Sequence, residues 1–403
     1  ALGHANVAAD RPFCGLTNAR LTVTGTGANV IPTGPAAPNA VPTDVRGGLI
    51  GFEYRTISNV GLGLDRWWLE LHSAGSTPAA PSGNYHRIPI GSNSWLRSRL
   101  TSRDGVGSNQ TDAIPVSMFE QVGAGADLSA VTWARYMTRA ANGQTVAIEY
   151  GNISFLPNLL ANSKAKLILG LDDGYIEQIS TFLPKARKRG FRCVWYTSPP
   201  AITVDVSNSY NNHNHLIQLQ DRGHQMASQA WDDEGLPAFS AKTHNEQVGW
   251  YGELRNWHAA MGFTGGDDCS YFSTVDPTYL PAREAMRKHF RTAREYLGGQ
   301  AAGPPLVFPE TYPFGDAMKQ KALNAAFDLT ANNGARLIAA VQQVIDHKCV
   351  IELVWHKEFA TNANVLNGID QVMDFADNNR AVLDVCTKED LHNYANRGSL
   401  IAV

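Results

Sequence analysis

The chain has 403 residues, a formal net charge of −3, 43% hydrophobic and 18% charged residues, enough apolar material for roughly two folded domains and no compositional case for disorder. The near-neutral balance, with no basic cluster longer than Lys185 to Arg189, argues against nucleic acid as a partner. No stretch approaches the ~18–20 apolar residues of a membrane span.

Residues 1 to about 160 are rich in Gly, Thr, Ser, Asn and Pro and carry short strand-like runs between turn signals. Arg20 to Thr24, Leu49 to Tyr54, Trp67 to His72, Ser129 to Tyr136 and Thr145 to Tyr150 predict an all-β sandwich of jelly-roll type. Asn142-Gly143 reads as a hairpin turn, and Ile153 to Leu156 as part of the last strand. Trp67, Trp68 and Trp95 are candidates for a sugar platform, although neighbours on a strand point opposite ways and at least one of the first two belongs in the core.

After Pro157 strands and helices alternate. Leu167 to Leu171 predicts a strand, Ile176 to Arg189 a helix stopped by Gly190, and Phe191 to Tyr196 a second strand. Helices follow over His215 to Arg222, Glu246 to Met261, Leu280 to His289, Ala335 to Lys348 and Gly368 to Asn378, with strands at Gln225 to Ser228, Val350 to Trp355 and Ala381 to Val385. Such a chain builds a parallel sheet with right-handed crossovers. Residues 161–403 therefore form an α/β domain behind the sandwich of residues 1–160.

The stretch from Lys166 to Gly174 carries the chemistry. An apolar run covered on both faces ends in Asp172, Asp173 and Gly174, at the carboxyl end of a strand where parallel α/β folds place their active sites. Adjacent residues of a continued strand point apart, so the two carboxylates have different tasks. A polar turn capping the next helix is the competing reading of the same residues. The five cysteines are widely spaced and odd in number, with no C-x-x-C pair, which argues against a disulfide scaffold or a thiolate zinc site.

Order and spacing over roughly residues 165 to 395 resemble the polysaccharide deacetylase superfamily, carbohydrate esterase family 4. Leu169-Gly-Leu-Asp-Asp-Gly174 is similar to the family's T-F-D-D-G strand end, and Arg222-Gly-His-Gln225 to the start of its G-H-x-x-x-H segment. Ile351 to His356 is similar to its late Leu-x-His strand. The resemblance implies an incomplete (β/α) barrel that removes N- or O-acetyl groups from a bacterial polysaccharide. It implies Asp172 as general base, His356 as general acid, and Asp173 as a ligand of a divalent ion, zinc in the family.

The family's two metal histidines fall on Gln229 and Asp233. The resulting set Asp173, Gln229 and Asp233 has oxygen ligands only, which suits Mg²⁺ or Ca²⁺, or no ion, better than zinc. His213 and His215 could supply an alternative pair from an extended loop. Trp231, Trp355, Tyr271 and Phe272 stand beside the motif positions and are candidates for holding sugar rings, and Arg291 and Arg294 for holding acidic sugars. His224 is read as packing.

Two other functions stay open: a glycan-binding protein that has lost the metal, and a glycan-cleaving enzyme of phage-tail type that uses carboxylates alone. The expected partner in each case is a polysaccharide. A homo-oligomer, trimeric in the phage-tail setting, and an extracellular or virion-associated location are further expectations. The chain opens at Ala1 with no basic and apolar leader, so it reads as processed or trimmed.

Overall fold

In a computed structural model of the chain, the described residues are 3–7, 18–24, 31–33, 43–58, 64–73, 75–76, 83–88, 110–199, 211–229, 242–270, 280–297, 310–318, 320–326 and 333–401. They fall into two compact units, residues 1–161 with 313–316 and residues 162–312 with 317–403.

The first unit contains β1 (Gly3–Val7), β2 (Asn18–Thr24), β3 (Ile31–Thr33), β4 (Gly48–Ser58), β5 (Leu64–Ser73), β6 (Tyr85–Arg87), β7 (Gln110–Pro115), β8 (Glu120–Val122), β9 (Val131–Ala140) and β10 (Thr145–Pro157). They make two five-stranded antiparallel sheets, in the orders β1-β2-β10-β4-β7 and β3-β9-β5-β6-β8. The sheets meet where Tyr136 of β9 stacks on Tyr150 of β10 with ring centroids 4.2 Å apart, and where the Tyr136 hydroxyl donates to the Glu53 carbonyl of β4 at 3.3 Å. Both faces of β9 are therefore largely covered.

The Asn142-Gly143 turn is present, with Gln144 N donating to Ala141 O at 3.0 Å and Gly143 at a φ of 73°. It does not close a hairpin: β9 and β10 lie in different sheets, so the turn carries the chain from one layer to the other. Trp68 is buried, and its indole N–H donates to Glu70 Oε1 at 2.8 Å, so the core rather than a sugar claims it. The Trp67 side chain and Trp95 lie outside the described residues.

The second unit carries β11 (Ala165–Leu171), β12 (Val194–Thr197), β13 (Gln225–Ser228), β14 (Asp268–Ser270), β15 (Thr292–Leu297), β16 (Gln320–Asn324), β17 (Val350–Trp355) and β18 (Leu383–Val385). Its helices are α1 (Leu183–Lys188), α2 (His213–Gln220), α3 (His244–Ala260), α4 (Leu280–Met286), α5 (Asn333–His347), α6 (Ala363–Asn378) and α7 (Lys388–Ile401). Strands β11 to β17 are all parallel and close on themselves, β11 pairing with β17 on one side and with β12 on the other. This is a ring of seven strands, one short of the eight of a complete (β/α) barrel; β18 pairs with β11 outside it.

Period-two alternation decides what each strand offers to each side. Leu167, Leu169 and Leu171 of β11, with Ile351, Leu353 and Trp355 of β17, join the apolar core beneath the helices. That core includes Leu337, Val341 and Val344 of α5 and Val365, Ile369, Val372 and Met373 of α6, each set at helical spacing. The opposite parity, Gly170 and Asp172 on β11 and its extension and Glu352, Val354 and His356 on β17 and its extension, faces the barrel interior. α3 is started by a capping box between Thr243 and Glu246, and α6 by the Asn362 side chain.

Two expected elements differ. His213 and His215 lie on α2 instead of an extended loop, so a spacing of two turns them apart; His213 Nε2 bonds to Met261 O at 2.8 Å. β14, β15, β16 and α7 were not among the elements expected from the sequence; in the strands, polar residues facing the barrel interior mask the apolar pattern.

Candidate active site

Asp172 follows the last residue of β11, its N–H donating to Trp355 O at 3.0 Å, which continues the parallel ladder by one residue. Its side chain is buried, and Oδ1 is paired with the Arg294 guanidinium from β15. The chain then leaves the strand. Asp173 has a φ of 68° and Gly174 a φ of 74°, so two successive left-handed residues turn the backbone. A non-glycine residue in this region carries strain of about 1–3 kcal/mol that its surroundings must hold in place. The turn overrides the expected divergence of the neighbours: Asp172 Oδ2 and Asp173 Oδ2 lie 3.8 and 4.0 Å from the same atom, His356 Nε2.

His356 follows β17 directly and is three-quarters buried. Its Nδ1 is 3.2 Å from Glu358 Oε1, and its backbone N–H donates to Glu358 Oε2 at 3.1 Å. Burial alone would push the imidazole pKa down. The Glu358 contact, then Asp172 and Asp173, outweigh it and raise the value to about 9. Asp173 is itself raised, first by burial and then by the Asp172 charge. Gln178 fixes the two strand ends together, its amide donating to Asp172 O at 2.6 Å and to His356 O at 3.0 Å.

Beneath these groups runs a string of alternating charges. Arg294 Nε lies 3.2 Å from Glu352 Oε1, and Lys388 Nζ 3.0 Å from Glu352 Oε2. The Tyr196 hydroxyl donates to Glu352 Oε1 at 2.7 Å, and the Arg294 guanidinium lies 4.1 Å from the Tyr196 ring centroid. All four side chains are buried. The carboxylates hold the Arg294 pKa above its ordinary value against the opposing effect of burial. Arg294 is fully buried and cannot reach a sugar from this position; Arg291 is partly exposed and pairs with Asp267 at 3.3 Å.

Gln229, just past β13, is brought to Asp173. Asp173 N donates to Gln229 Oε1 at 2.8 Å, and Gln229 Nε2 donates to Asp173 Oδ1 at 2.6 Å. A zinc site needs at least three N, O or S ligands pointing their lone pairs at one place. Here the amide points its hydrogens at the carboxylate. Among the described residues no group of three His, Cys, Asp or Glu could hold an ion. The described residues alone therefore do not fit the divalent ion that the sequence resemblance implies: Asp173 and Gln229, two of the three expected ligands, are hydrogen-bonded to each other, and the third, Asp233, lies outside the described residues.

Trp355 is a second correction. It points away from the barrel interior, is fully buried, and packs against Phe182 with centroids 5.2 Å apart, so it has no face for a sugar ring. Asp233, Trp231, Tyr271 and Phe272 lie outside the described residues. His224 is buried, accepts from Cys193 N at 3.0 Å, and has a pKa lowered to about 4 by burial and then by Arg187. Of the residues that sequence reasoning missed, Glu352 had a signal: a lone carboxylate inside the apolar run Val350 to Trp355. Glu358, Gln178 and Lys388 had none.

No protein-family profile and no curated protein matches the sequence. Solved structures do. The CE4 domain of a multidomain xylanase from the hindgut metagenome of Trinervitermes trinervoides is similar at 11% identity and a TM-score of 0.37, over 58% of this chain and 92% of that one. A family 4 carbohydrate esterase from Streptomyces lividans is similar at 13% identity and a TM-score of 0.33, over 55% and 91%. The peptidoglycan deacetylase PdaC from Bacillus subtilis is similar at 10% identity and a TM-score of 0.34, over 59% and 94%.

Proposed function

We propose that the barrel is a hydrolase that removes N- or O-acetyl groups from a polysaccharide, with Asp172 as general base and His356 as general acid. The observation that supports it is the approach of one imidazole nitrogen to both carboxylates, 3.8 and 4.0 Å, at the carboxyl end of the barrel. With Oδ1 of Asp172 held by Arg294, Oδ2 is the oxygen left to accept a proton from water. The water oxygen attacks the acetyl carbon as that proton moves to Oδ2. His356, protonated below about pH 9, gives its Nε2 proton to the leaving nitrogen or oxygen as the acyl bond breaks. Acetate and the free sugar amine or hydroxyl leave, and the proton on Asp172 returns to solvent or to His356.

Asp172→Asn keeps the shape and removes the base, and a loss of roughly 10²–10⁴-fold in acetate release is expected with folding intact. Full activity in that variant would remove Asp172 from this role.

A second reading is favoured by one observation: Asp173 is pushed up by burial and by Asp172, while Asp172 is paired with Arg294. Two neighbouring carboxyl groups in different environments are the equipment of a glycosidase. New reducing ends without acetate would select chain cleavage; saccharide binding with neither product would select a glycan-binding protein. The sandwich is assigned to glycan binding or assembly, and the protein to an extracellular or virion-associated setting, on the same reading.

A further inference from the structure

We propose that Gln229 stands in place of a metal ion, so that the Asp173 carboxylate is held by the amide and the reaction at this site runs without a bound divalent cation. The inference deepens the hydrolase reading of the same site.

The amide orientation is the deciding point. A backbone N–H can only donate, so the Gln229 atom that faces Asp173 N at 2.8 Å is the oxygen. The NH₂ end is then the one 2.6 Å from Asp173 Oδ1. An ion on Oδ1 would have to displace the amide hydrogen donated to it. Flipping the amide to free that oxygen would set NH₂ against the Asp173 N–H, donor against donor.

The two ends of the clamp are fixed independently. Gln229 N donates to Thr197 O at 3.0 Å, which ties the residue to the barrel wall, and its side chain is buried. Asp173 is locked by the left-handed turn, and Gly174 O accepts from Asn211 N at 2.7 Å. The other carboxylate oxygen, Oδ2, faces His356 Nε2 at 4.0 Å. Oδ1 thus accepts a hydrogen bond from the amide, and Oδ2 has the imidazole as its charged neighbour.

The test is metal binding, read apart from catalysis. The whole chain, stripped with a chelator, is titrated with Zn²⁺, Co²⁺, Mg²⁺ and Ca²⁺ in turn, following melting temperature and Co²⁺ absorption, beside Asp173→Asn. An ion held by the native site must raise its melting temperature. The expected result is no rise and no Co²⁺ spectrum that Asp173→Asn abolishes. A rise or a spectrum present in the native chain and lost in Asp173→Asn overturns the proposal. An ion bound equally by both lies elsewhere and leaves it standing. Acetate release is measured separately, so a catalytically silent chain would count against the hydrolase reading and not against the clamp.

Discussion

A Cβ placed on Gly170 would lie 2.9 Å from Glu352 Oε1 and 3.1 Å from Val354 Cγ2, so the bare backbone of β11 is what admits the Glu352 carboxylate to the barrel interior beneath Asp172. The glycine serves space, not an unusual backbone angle. Glu352 cannot step aside cheaply, because Arg294, Lys388 and Tyr196 all hold it. Gly170→Ala is therefore expected to destabilise the fold by about 1–3 kcal/mol, the usual cost of overpacking, and to lower activity by disturbing Arg294. Denaturant unfolding alongside the rate of acetate release checks both; an unchanged midpoint would mean that the interior has room to spare.

Arg294 is the cation between two buried carboxylates, Asp172 and Glu352. Arg294→Met fills a similar volume but leaves both acids without that partner. Breaking such a pair from one side costs about 3–5 kcal/mol, far more than the pair itself contributes. A loss of that size in chemical denaturation, with activity abolished, is the expected outcome. Retained stability would show that Lys388 alone suffices for Glu352.

His356 sets the alkaline behaviour. Its pKa is raised from 6.5 to about 9, so the stabilisation it gains from Glu358, Asp172 and Asp173 is fully present below 6.5 and is lost as pH rises through about 9. The catalytic proton is lost over the same range, so kcat/KM should fall above about pH 9. Glu358→Gln removes the first of the raising contacts and should move that limb toward lower pH. A profile that does not move would separate Glu358 from the protonation of His356.

Trp355 belongs to the core, so its substitution should report on stability and not on saccharide binding. Trp355→Phe is expected to cost roughly 0.5–3 kcal/mol, the ordinary range for a buried substitution. The KM for a saccharide substrate should not change. A raised KM with unchanged stability would return the indole to the binding site.

The strand over Leu167 to Leu171 and the two carboxylates at its end were legible from the chain alone, because an apolar run buried on both faces has no other place to stop. Period-two alternation also made Glu352 readable in principle. Most helices were legible from their apolar spacing, with ends decided by caps such as Thr243 and Asn362, but the helix Lys388–Ile401 was not read, and the expected helix from Ile176 is α-helical only over Leu183–Lys188. The turn at Asn142-Gly143 was legible as a turn, but not its destination, because local dihedrals do not say which sheet the next strand joins.

What the sequence by itself determined is therefore the alternation of strands and helices and the presence of acids at a strand end, both local consequences of burial and side-chain period. Only the tertiary structure decided how those acids are placed. The left-handed turn at Asp173 set its carboxylate beside that of Asp172, Gln229 arrived as a hydrogen-bond partner, and Arg294 came from a strand more than a hundred residues away to hold Asp172. Each is a long-range contact whose energy depends on orientation and on exclusion of water, neither of which is written in the spacing of residues along a chain.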